Sequence, residues 1–515
     1  MTENEIEKLT VKVGNIFSEL EIRIMTDIVR RIKENGFATA SVDWQISRLQ
    51  QLGMAEADIR GWIQSALQAT DAEMNRIFSD EVYRQYYEQE HYYKLAGLQQ
   101  IPFQDNIVLQ QLVEATRKQL QGEYQNLAGS MGFAIRNPAT GRIQSSPLMD
   151  YYRSTMDQAV LDIRSGAFDY GVILKRTVNQ MSASGVRYIE YDSGHRDRID
   201  VAARRAILTG FRQVQGKIME QVADELGTDM YEVTFHWGAR PTHQPWQGKV
   251  WSMQQLRDIC GLGDVAGLKG ANCRHDYRPF PPGSVRTYTD EWLEQQIQEE
   301  NTPKEYHGKQ YTTYEATQQQ RKMERAMRAQ REKIKLLKEG GADEQEIILA
   351  KAKYQGQMQT YKDFSEKMGL KEQKARITQD GLRGKFMPTK AEQKALEESA
   401  INDKIKAELS EAKIKGIPQI NPHKIDVSEF TFDNSHINAV REHGVTRAEA
   451  EQFIKESDIS LTRWKGRFIN YYGPNGATYV DVENNNIRTA FKKEQFDAPT
   501  LKIREVAEKY GIKKD

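Results

Sequence analysis

Side chains that can bind a metal ion are concentrated in two short segments of the chain. Residues 236–251 read HWGARPTHQPWQGKVW, and residues 270–276 read GANCRHD. Together they hold three of the nine histidines, one of the two cysteines and three of the seven tryptophans. Glycine and proline between these residues favour turns over a continuous helix or strand. We call the two segments the His/Cys corner, and the pattern indicates either a bound-ion site or a tightly folded structural corner.

The metal interpretation depends on four side chains that offer nitrogen and sulfur donors. They are His236, His243, Cys273 and His275. Four such donors can close a tetrahedral shell around a structural Zn²⁺ with no open position. Their spacing is irregular, and C-x-H with two upstream histidines is less diagnostic than paired C-x-x-C. A hydrolytic metal site has less support, because no H-E-x-x-H helix or carboxylate cluster lies nearby in the sequence.

The alternative interpretation of the His/Cys corner needs no metal. In it the imidazoles hydrogen-bond to backbone at turns, and three indoles pack over two glycines. The residues concerned are Trp237, Trp246, Trp251, Gly238 and Gly248. The glycine-rich run at 261–267 lacks the spacing of a phosphate-binding loop, and we expect it to form a flexible bridge to the cysteine. Both interpretations stay open at this point.

A second group of chemically capable residues lies near the end of the chain. Its members are His436, His443, Arg467, Tyr472 and Thr489. RNA cleavage without a metal needs a base for the 2′-hydroxyl, a cation for the phosphate and an acid for the leaving oxygen. Histidine can act as base or acid, arginine can bind the phosphate, tyrosine can stack or act as an acid, and threonine can hydrogen-bond. Each residue type is also common in a purely structural role.

The elements that must position these residues are mostly helical. Apolar residues recur at spacings of three and four from Phe17 to Ile32, again after a break at Gly53, and in a stripe from Ile207 to Val222. The period changes to two from Tyr231 to Trp237, which predicts a strand leading into the His/Cys corner. The sequence therefore predicts a small α+β central module within a helical body.

A change of composition near Thr302 predicts a long exposed helical arm. The segment is rich in Gln, Lys, Arg, Glu and Met and has only a thin apolar seam. Gly340 and Gly341 divide the arm, and a second helix is predicted over 344–364. Basic residues crowd its first half, which is either a solvated charged face or a contact with nucleic acid.

The last part of the chain predicts an α+β domain with an antiparallel meander. Thr446 can cap a helix together with Glu449. Four short strands are predicted next, over 459–463, 467–472, 478–482 and 487–491. The overall prediction is a mainly α fold with a small α+β central module, a long exposed helical arm and this C-terminal domain. The predicted domain boundaries are 1–190, 191–300, 301–417 and 418–515.

Composition excludes several classes of function. The 73 basic and 73 acidic residues cancel, so no global field recruits nucleic acid or membrane. Two cysteines in 515 residues are too few for a disulfide framework. We find no signal region and no apolar run long enough to span a bilayer, and we expect a soluble chain without a membrane anchor. Phosphate-loop, G-x-S-x-G and dinucleotide motifs have no match, which removes packaging ATPases, esterases and dehydrogenases.

Several motifs resemble the phage minor capsid protein 2 family, in order, over most of residues 1–380. They are YDSG at 191–194, VAARRAILTG at 201–210, the two segments of the His/Cys corner, QQQRKMERAMR at 318–328 and YKDFS at 361–365. That family is related more distantly to portal-associated head morphogenesis proteins of tailed phages. The resemblance implies a virion component made in the host bacterial cytoplasm and bound inside the capsid at or near the portal. Its implied partners are the portal protein, capsid subunits and packaged DNA, and its implied role is head assembly, with ejection alongside the DNA as an added step.

Residues 428–510 resemble, more weakly, the small nuclease-like domains of the barnase, EndoU, colicin and RelE-like group. The segments concerned are FDNSHINAVREHGVT, the aromatic strand RFINYY and IRTAF. This resemblance implies a ribonuclease acting on host RNA. Two classes of function therefore stand side by side: a structural protein whose last domain is a docking module, and a virion-delivered effector whose last domain is an RNase-type toxin.

Overall fold

The computed structural model describes residues 3–36, 43–136, 140–164, 168–188, 196–270 and 273–511. The chain forms two compact units, residues 1–387 and 388–515. The YDSG motif at 191–194 lies outside the described residues. Among the described helices, none has both the length and the apolar character needed to cross a bilayer.

Helices build most of the first unit. They are α1 (Glu3–Gly36), α2 (Asp43–Arg76), α3 (Val82–Tyr87), α4 (Glu90–Ala96), α5 (Ile107–Gly129), α6 (Leu148–Arg164), α7 (Tyr170–Ser184), α8 (Ile199–Glu225), α9 (Met253–Asp258), α10 (Asp290–Asn301), α11 (Thr313–Gly340), α12 (Glu344–Met368) and α13 (Lys374–Ile377). The core forms where α1 packs against α8, α11 and α2, and where α5 packs against α8. The helix predicted over 344–364 is confirmed as α12.

The predicted apolar stripes of α1 and α8 are confirmed as core. The buried members are Phe17, Leu20, Ile24, Ile28 and Ile32 in α1, and Ile207, Phe211, Val214, Ile218 and Val222 in α8. Burial of each such side chain stabilises the fold by roughly 1.5–3 kcal/mol. The predicted break at Gly53 is wrong, since α2 continues through it. A glycine inside a helix costs only about 1 kcal/mol relative to alanine, which the packing of a long helix can offset.

Helix α11, predicted as the first half of an exposed arm, is instead buried in the first unit. Met327, Ile334, Leu336 and Leu337 all lie in the main hydrophobic core. The apolar seam looks thin in the sequence because charged residues occupy part of the buried face. Their partners come from segments far away in the chain, so the sequence around α11 does not reveal them.

Buried ion pairs join α11 to α1 and α8. Arg198 Nη2 lies 2.7 Å from Glu21 Oε1 and 2.6 Å from Glu332 Oε1. Arg328 Nη2 lies 2.9 Å from Asp200 Oδ2. Burial raises the pKa of Glu332 to about 7, with the Glu21 carboxylate acting in the same direction and Arg198 opposing them. Removing one member of such a cluster leaves an uncompensated buried charge and costs about 3–5 kcal/mol.

Among the described residues of the first unit, short strands form three small sheets. They are β1 (Met131–Arg136), β2 (Ile143–Pro147), β3 (Val186–Tyr188), β4 (Met230–Val233), β5 (Val250–Ser252), β6 (Tyr277–Pro279), β7 (Lys304–Tyr306) and β8 (Lys309–Tyr311). In the sheet ordered β5-β4-β6, both neighbours run antiparallel to β4, so that Tyr231 lies opposite Trp251 on one side and Pro279 on the other. This sheet is the predicted central module, and it holds the two segments of the His/Cys corner side by side.

The second unit is a six-stranded sheet with helices. Its elements are α14 (Lys390–Glu411), β9 (Ile417–Ile420), β10 (Thr431–Phe432), α15 (Arg447–Glu456), β11 (Ile459–Arg463), β12 (Phe468–Tyr472), β13 (Gly476–Asp481), β14 (Asn486–Lys492) and α16 (Ala498–Tyr510). The strand order is β10-β14-β13-β12-β11-β9. Strands β9 and β11–β14 pair antiparallel, and β10 pairs parallel to β14. The predicted meander is confirmed, as is the capping box of Thr446 and Glu449.

Two separate cores stabilise this second unit. Ile405 and Leu409 of α14 share one core with Ile503 and Val506 of α16. Helix α15 contributes to the other core. The division into two compact units thus groups residues 388–417 with the C-terminal sheet and not with helices α11–α13. The finer division of the sequence into four domains stays a prediction.

Candidate metal centre and candidate nuclease pocket

The four predicted metal ligands line one cavity in the first unit. This cavity has a volume of about 320 Å³, and its wall includes His236, His243, Cys273 and His275. His236 follows strand β4, and Cys273 and His275 come just before β6. The pairing of β4 with β6 therefore brings together residues that are far apart in the sequence.

Tight turns carry the residues between His236 and β5. The N–H of His243 donates to the carbonyl of Arg240 at 2.8 Å. Gly248 has φ +71°, and a Cβ on it would lie 2.5 Å from a methyl carbon of Leu293. Glycine is required here because the backbone is left-handed and because helix α10 approaches closely.

The tryptophans do not pack over glycine as the metal-free interpretation proposed. Gly238 faces Thr317, and Gly248 faces Leu293. Trp246 is buried instead against the imidazoles of His243 and His275, with ring centroids 4.5 and 4.8 Å apart. The remaining two indoles lie nearer the surface. Trp251 is half-buried and donates its indole N–H to the carbonyl of Trp246, and Trp237 is 45% exposed.

Hydrogen bonds set the tautomers of two imidazoles. The Gln247 Oε1 atom accepts the backbone N–H of His236 at 3.1 Å, and it lies 2.9 Å from His275 Nε2. Since this oxygen can only accept, His275 Nε2 donates. His243 Nε2 likewise donates to the carbonyl of Ala266 at 2.9 Å. Both rings therefore keep an unprotonated Nδ1, which is the arrangement found when a carbonyl orients a metal-binding histidine.

Three of the four predicted ligands come close enough to share an ion. One donor atom each from His243, Cys273 and His275 lie within 4.8 Å of one another. Cys273 Sγ is 3.5 Å from His275 Nδ1. The fourth, His236, lies beside them with its ring centroid 5.0 Å from that of His275, and its Nε2 is 3.1 Å from Thr234 Oγ1. Zinc bonds of about 2.0–2.3 Å would draw these donors inward.

The cavity wall sets the charge of these groups. Burial lowers the pKa of His275 to about 2, with the neighbouring imidazoles and Arg212 acting in the same direction. Burial also lowers the pKa of His243 and raises that of the Cys273 thiol. The imidazoles of His243 and His275 are therefore neutral, which is the form that binds a metal and also the form that packs in an apolar wall.

The glycine-rich run before the cysteine is a tightly packed turn, not the flexible bridge predicted from its composition. A Cβ on Gly267 would lie 2.0 Å from the carbonyl oxygen of Gly261. The turn closes with a 2.8 Å hydrogen bond from Leu268 N to Cys260 O. Cys273 N then donates to the carbonyl of Gly270 at 3.1 Å. The glycines are thus needed for close backbone contact, and they help to position Cys273.

Three of the five predicted catalytic residues line a cavity in the second unit. This cavity has a volume of about 470 Å³, and its wall includes His436, His443 and Thr489. His436 lies in a π-helical turn, Ser435–Val440. Such turns are rare and occur often at functional sites. The structure therefore brings both predicted histidines to one concave surface.

Basic and aromatic residues complete this wall, and the sequence analysis missed most of them. Arg441, Arg463, Arg488 and Tyr479 line the cavity together with Trp464, which is 79% exposed. Tyr479 lies directly opposite Thr489 in the pairing of β13 with β14. A bulge between Tyr479 and Val480 shifts the register by one residue from the one that the turn alone would give, so the sequence did not reveal that Tyr479 lies opposite Thr489. The arginines carry no signal in the sequence either.

His443 of the pocket differs from His243 and His275 of the His/Cys corner in its hydrogen bonding. Burial, Arg441 and His436 lower the pKa of His443, while Gln495 opposes them. Among the described residues, none hydrogen-bonds to its buried Nδ1. The ring contacts Phe491, with centroids 5.5 Å apart. A buried ring nitrogen without a partner is a place where a ligand group can bind.

The structure does not bring Arg467 or Tyr472 into this wall. Arg467 is ion-paired with Asp481 at 3.2 Å and Glu483 at 3.1 Å. Tyr472 is 0% exposed, and its hydroxyl lies 3.2 Å from that of Tyr479. Helix α16 covers this end of β12, where Arg504 Nη1 reaches the Tyr472 carbonyl at 3.4 Å. These two residues therefore lie outside the wall that the other three predicted residues share.

The comparisons with known proteins concern the first unit. No curated protein and no solved structure matches the chain. The family model described as Phage minor capsid protein 2 matches residues 1–366. This match covers more than half of the chain, includes the whole His/Cys corner and ends before the second unit. The chain therefore belongs to the phage minor capsid protein 2 family and is a virion component of a phage.

Proposed function

We propose that this minor capsid protein is bound inside the capsid at or near the portal, acts in head assembly and leaves with the DNA. The observation that carries the proposal is the family match, because residues 1–366 span nearly all of the first compact unit, residues 1–387. The proposed partners of this unit are the portal protein and capsid subunits. Packaged DNA is a third proposed partner.

An exposed apolar segment of the first unit supports docking onto other virion subunits. Its large exposed side chains are Leu95, Leu98, Ile101, Ile107 and Val108. Leu95 is 84% exposed and Val108 is 66% exposed. Exposed apolar patches mark protein contacts, and these five exposed side chains all lie within the one short segment of chain from 95 to 108. The segment from 95 to 108 is therefore the surface that we assign to the virion partner.

Image reconstruction of the virion without imposed symmetry tests the location. We expect density for the first unit at the portal vertex and nowhere else on the shell. A double variant, Leu95→Glu with Val108→Glu, should be absent from virions by quantitative mass spectrometry. Leu349→Glu is the matched control, since Leu349 lies in α12 and is 54% exposed. Uniform distribution of the protein over the shell would contradict the proposal.

Ejection is tested separately by following the protein during infection. We expect the chain to enter the host-cell fraction together with the phage DNA. Recovery of the full amount from emptied heads would leave the assembly role in place and remove the ejection step.

The C-terminal cavity favours a second function, an RNase-type effector that acts on host RNA. One histidine of the pair His436 and His443 would take the proton of the 2′-hydroxyl, and the other would protonate the leaving oxygen. Arg441, Arg463 and Arg488 would stabilise the charge that develops on the phosphate. Exposed Trp464 would stack on a base. The support for this proposal is that these groups line one cavity.

Expression of the second unit alone discriminates the effector from a docking module. The fragment should begin at residue 388, because Ile405 and Leu409 of α14 belong to its core. A fragment that began at 418 would expose that core. We expect residues 388–515 to degrade cellular RNA and to arrest growth. A folded fragment that is inert in both assays would identify a docking module.

We also propose that the His/Cys corner holds a structural Zn²⁺. The support is the group of three donors together with the carbonyl acceptors that leave Nδ1 of His243 and His275 unprotonated. Such an ion would join the segment after β4 to the segment before β6. With His236 as the fourth ligand the shell would be closed and would leave no position for substrate, so the role of the ion would be to stabilise the central module.

A further inference from the structure

A second cavity of the first unit is lined mainly by arginine. It has a volume of about 280 Å³. Helix α8 contributes Arg204, Arg205 and Arg212 to its wall, and helix α11 contributes Arg321, Arg325 and Arg328. The three arginines of α11 are spaced by four and three residues, and Arg205 and Arg212 of α8 are seven apart, so each helix presents basic residues to the same cavity. The basic first half of the predicted arm is thus directed into a concavity.

The wall is strongly positive. Arg274 and Arg376 bring the number of lining arginines to eight, and among the described residues that line the cavity Glu324 is the one carboxylate. Arg205 and Arg328 also pair with Asp197 and Asp200. Like charges at i and i+4, such as Arg321 and Arg325, destabilise a helix by a few tenths of a kcal/mol. Binding of an anion would remove that repulsion.

One of these arginines is held in position by neutral groups. Arg204 Nη1 donates to Gln379 Oε1 at 2.9 Å, and its Nε donates to Thr10 Oγ1 at 3.3 Å. Its aliphatic stem crosses α1 at Gly14, where a Cβ would lie 2.5 Å from Arg204 Cδ. A glycine in the middle of a helix costs about 1 kcal/mol relative to alanine. Here the glycine leaves room for the side chain.

We propose that this arginine-lined cavity binds phosphate groups. Guanidinium groups bind phosphate oxygens in pairs of parallel hydrogen bonds, and a cluster of them in a concave wall concentrates positive potential. The phosphate groups can belong to a nucleic-acid strand that passes the cavity or to free phosphate in solution. The inference is drawn from the geometry of the first unit and does not depend on its location in the capsid.

The nucleic-acid source is tested with the full-length protein and a fluorescent oligonucleotide, single-stranded or duplex. Fluorescence anisotropy over a range of salt concentrations gives the affinity and its salt dependence. The double variant Arg321→Gln with Arg325→Gln should bind about tenfold more weakly, and the slope against salt should fall by about 0.9 for each duplex phosphate that the variant no longer neutralises. Lys322→Gln is the matched control, because Lys322 is exposed on the same helix but does not line the cavity.

The free-phosphate source is tested by thermal unfolding of the same proteins. Inorganic phosphate or pyrophosphate should raise the Tm of the wild type above its value in chloride at equal ionic strength, and should not do so in the double variant. Gly14→Ala, which displaces Arg204, should reduce the same response without removing any charge. A response to phosphate without oligonucleotide binding identifies free phosphate as the ligand. Equal behaviour of the wild type, Lys322→Gln and the double variant in both assays would overturn the proposal.

Discussion

The His/Cys corner and the C-terminal pocket both contain histidines in a cavity wall, but they hold them differently. In the corner, His243 and His275 are 2% and 3% exposed, and each Nε2 donates to a carbonyl oxygen. In the pocket, His436 and His443 are half-buried, and the His443 Nδ1 has no hydrogen-bond partner among the described residues. The first arrangement holds rings in place, whereas the second leaves a ring nitrogen available.

This difference separates a structural role from a reactive one. A ring whose second nitrogen donates to a carbonyl oxygen is oriented for a fixed partner such as a metal ion. A ring beside arginines and an exposed indole can exchange a proton with a ligand that enters and leaves. The proposals for the two units therefore follow from how the groups in each cavity wall hydrogen-bond to the histidine ring nitrogens.

The largest expected effect is the loss of RNA cleavage in the pocket. In the fragment 388–515, His443→Ala should lower the cleavage rate of an RNA oligonucleotide by about 10²–10⁴-fold, because a proton-transfer group is removed. Arg467→Ala is the matched control and should cleave normally, since its guanidinium pairs with Asp481 and Glu483 outside the wall. Equal loss in both variants, with both folded, would show that the described wall is not the site.

Zinc removal is expected to have the next largest effect, a loss of stability that arises in the His/Cys corner. The full-length protein should contain stoichiometric zinc by elemental analysis, and a chelator should lower its stability by about 4 kcal/mol if zinc had been present at 1,000 times its Kd. Cys273→Ala should lose the metal. Cys260→Ala should keep it, because Cys260 is buried in the core outside the group of donors.

Absence of stoichiometric zinc, with no change of stability on chelation, would remove the metal proposal. The corner would then be stabilised by the buried indole of Trp246 and the carbonyl acceptors alone. The two sites would then differ only in how they pack and hydrogen-bond their imidazole rings.

Local patterns in the sequence predict much of this fold. The stripe of α8, the Thr446 cap and the strands β11–β14 follow from spacing and turn residues within a few positions of each other. Such features depend on neighbours in the sequence. The ligands of the corner also lie in two short segments, but the pairing of β4 with β6 is what brings those segments together.

What the sequence does not reveal depends on distant partners. The buried face of α11 contains Arg328, whose partner Asp200 lies 128 residues earlier in the chain. Alternation along β12 indicates which face a residue occupies, but it does not indicate that α16 covers Tyr472. The arginines of the two basic cavities are ordinary in the sequence and become a feature only where helices or strands bring them together.

A smaller effect is expected from the glycine turn that positions Cys273. Gly267→Ala should destabilise the first unit by about 3 kcal/mol, because the new Cβ would collide with the Gly261 carbonyl 2.0 Å away. Gly122→Ala in α5 is the control, since nothing lies within 4 Å of its Cβ position and alanine favours a helix. Chemical denaturation measures both. An unchanged stability for Gly267→Ala would mean that the turn is flexible, as its composition first suggested.

The smallest expected effect is that of Tyr472→Phe, which tests whether the buried end of β12 takes part in the reaction of the neighbouring pocket. Tyr472→Phe removes a hydroxyl that lies 3.2 Å from the Tyr479 hydroxyl, and it should cost about 1 kcal/mol of stability. Because helix α16 covers Tyr472, RNA cleavage by the fragment should stay within about twofold of the wild type, whereas Thr489→Ala in the wall should slow it by more than that. A loss of about 100-fold in the cleavage rate of folded Tyr472→Phe would instead show that this tyrosine takes part in the reaction. Helix α16 would then have to move away from β12 during each turnover.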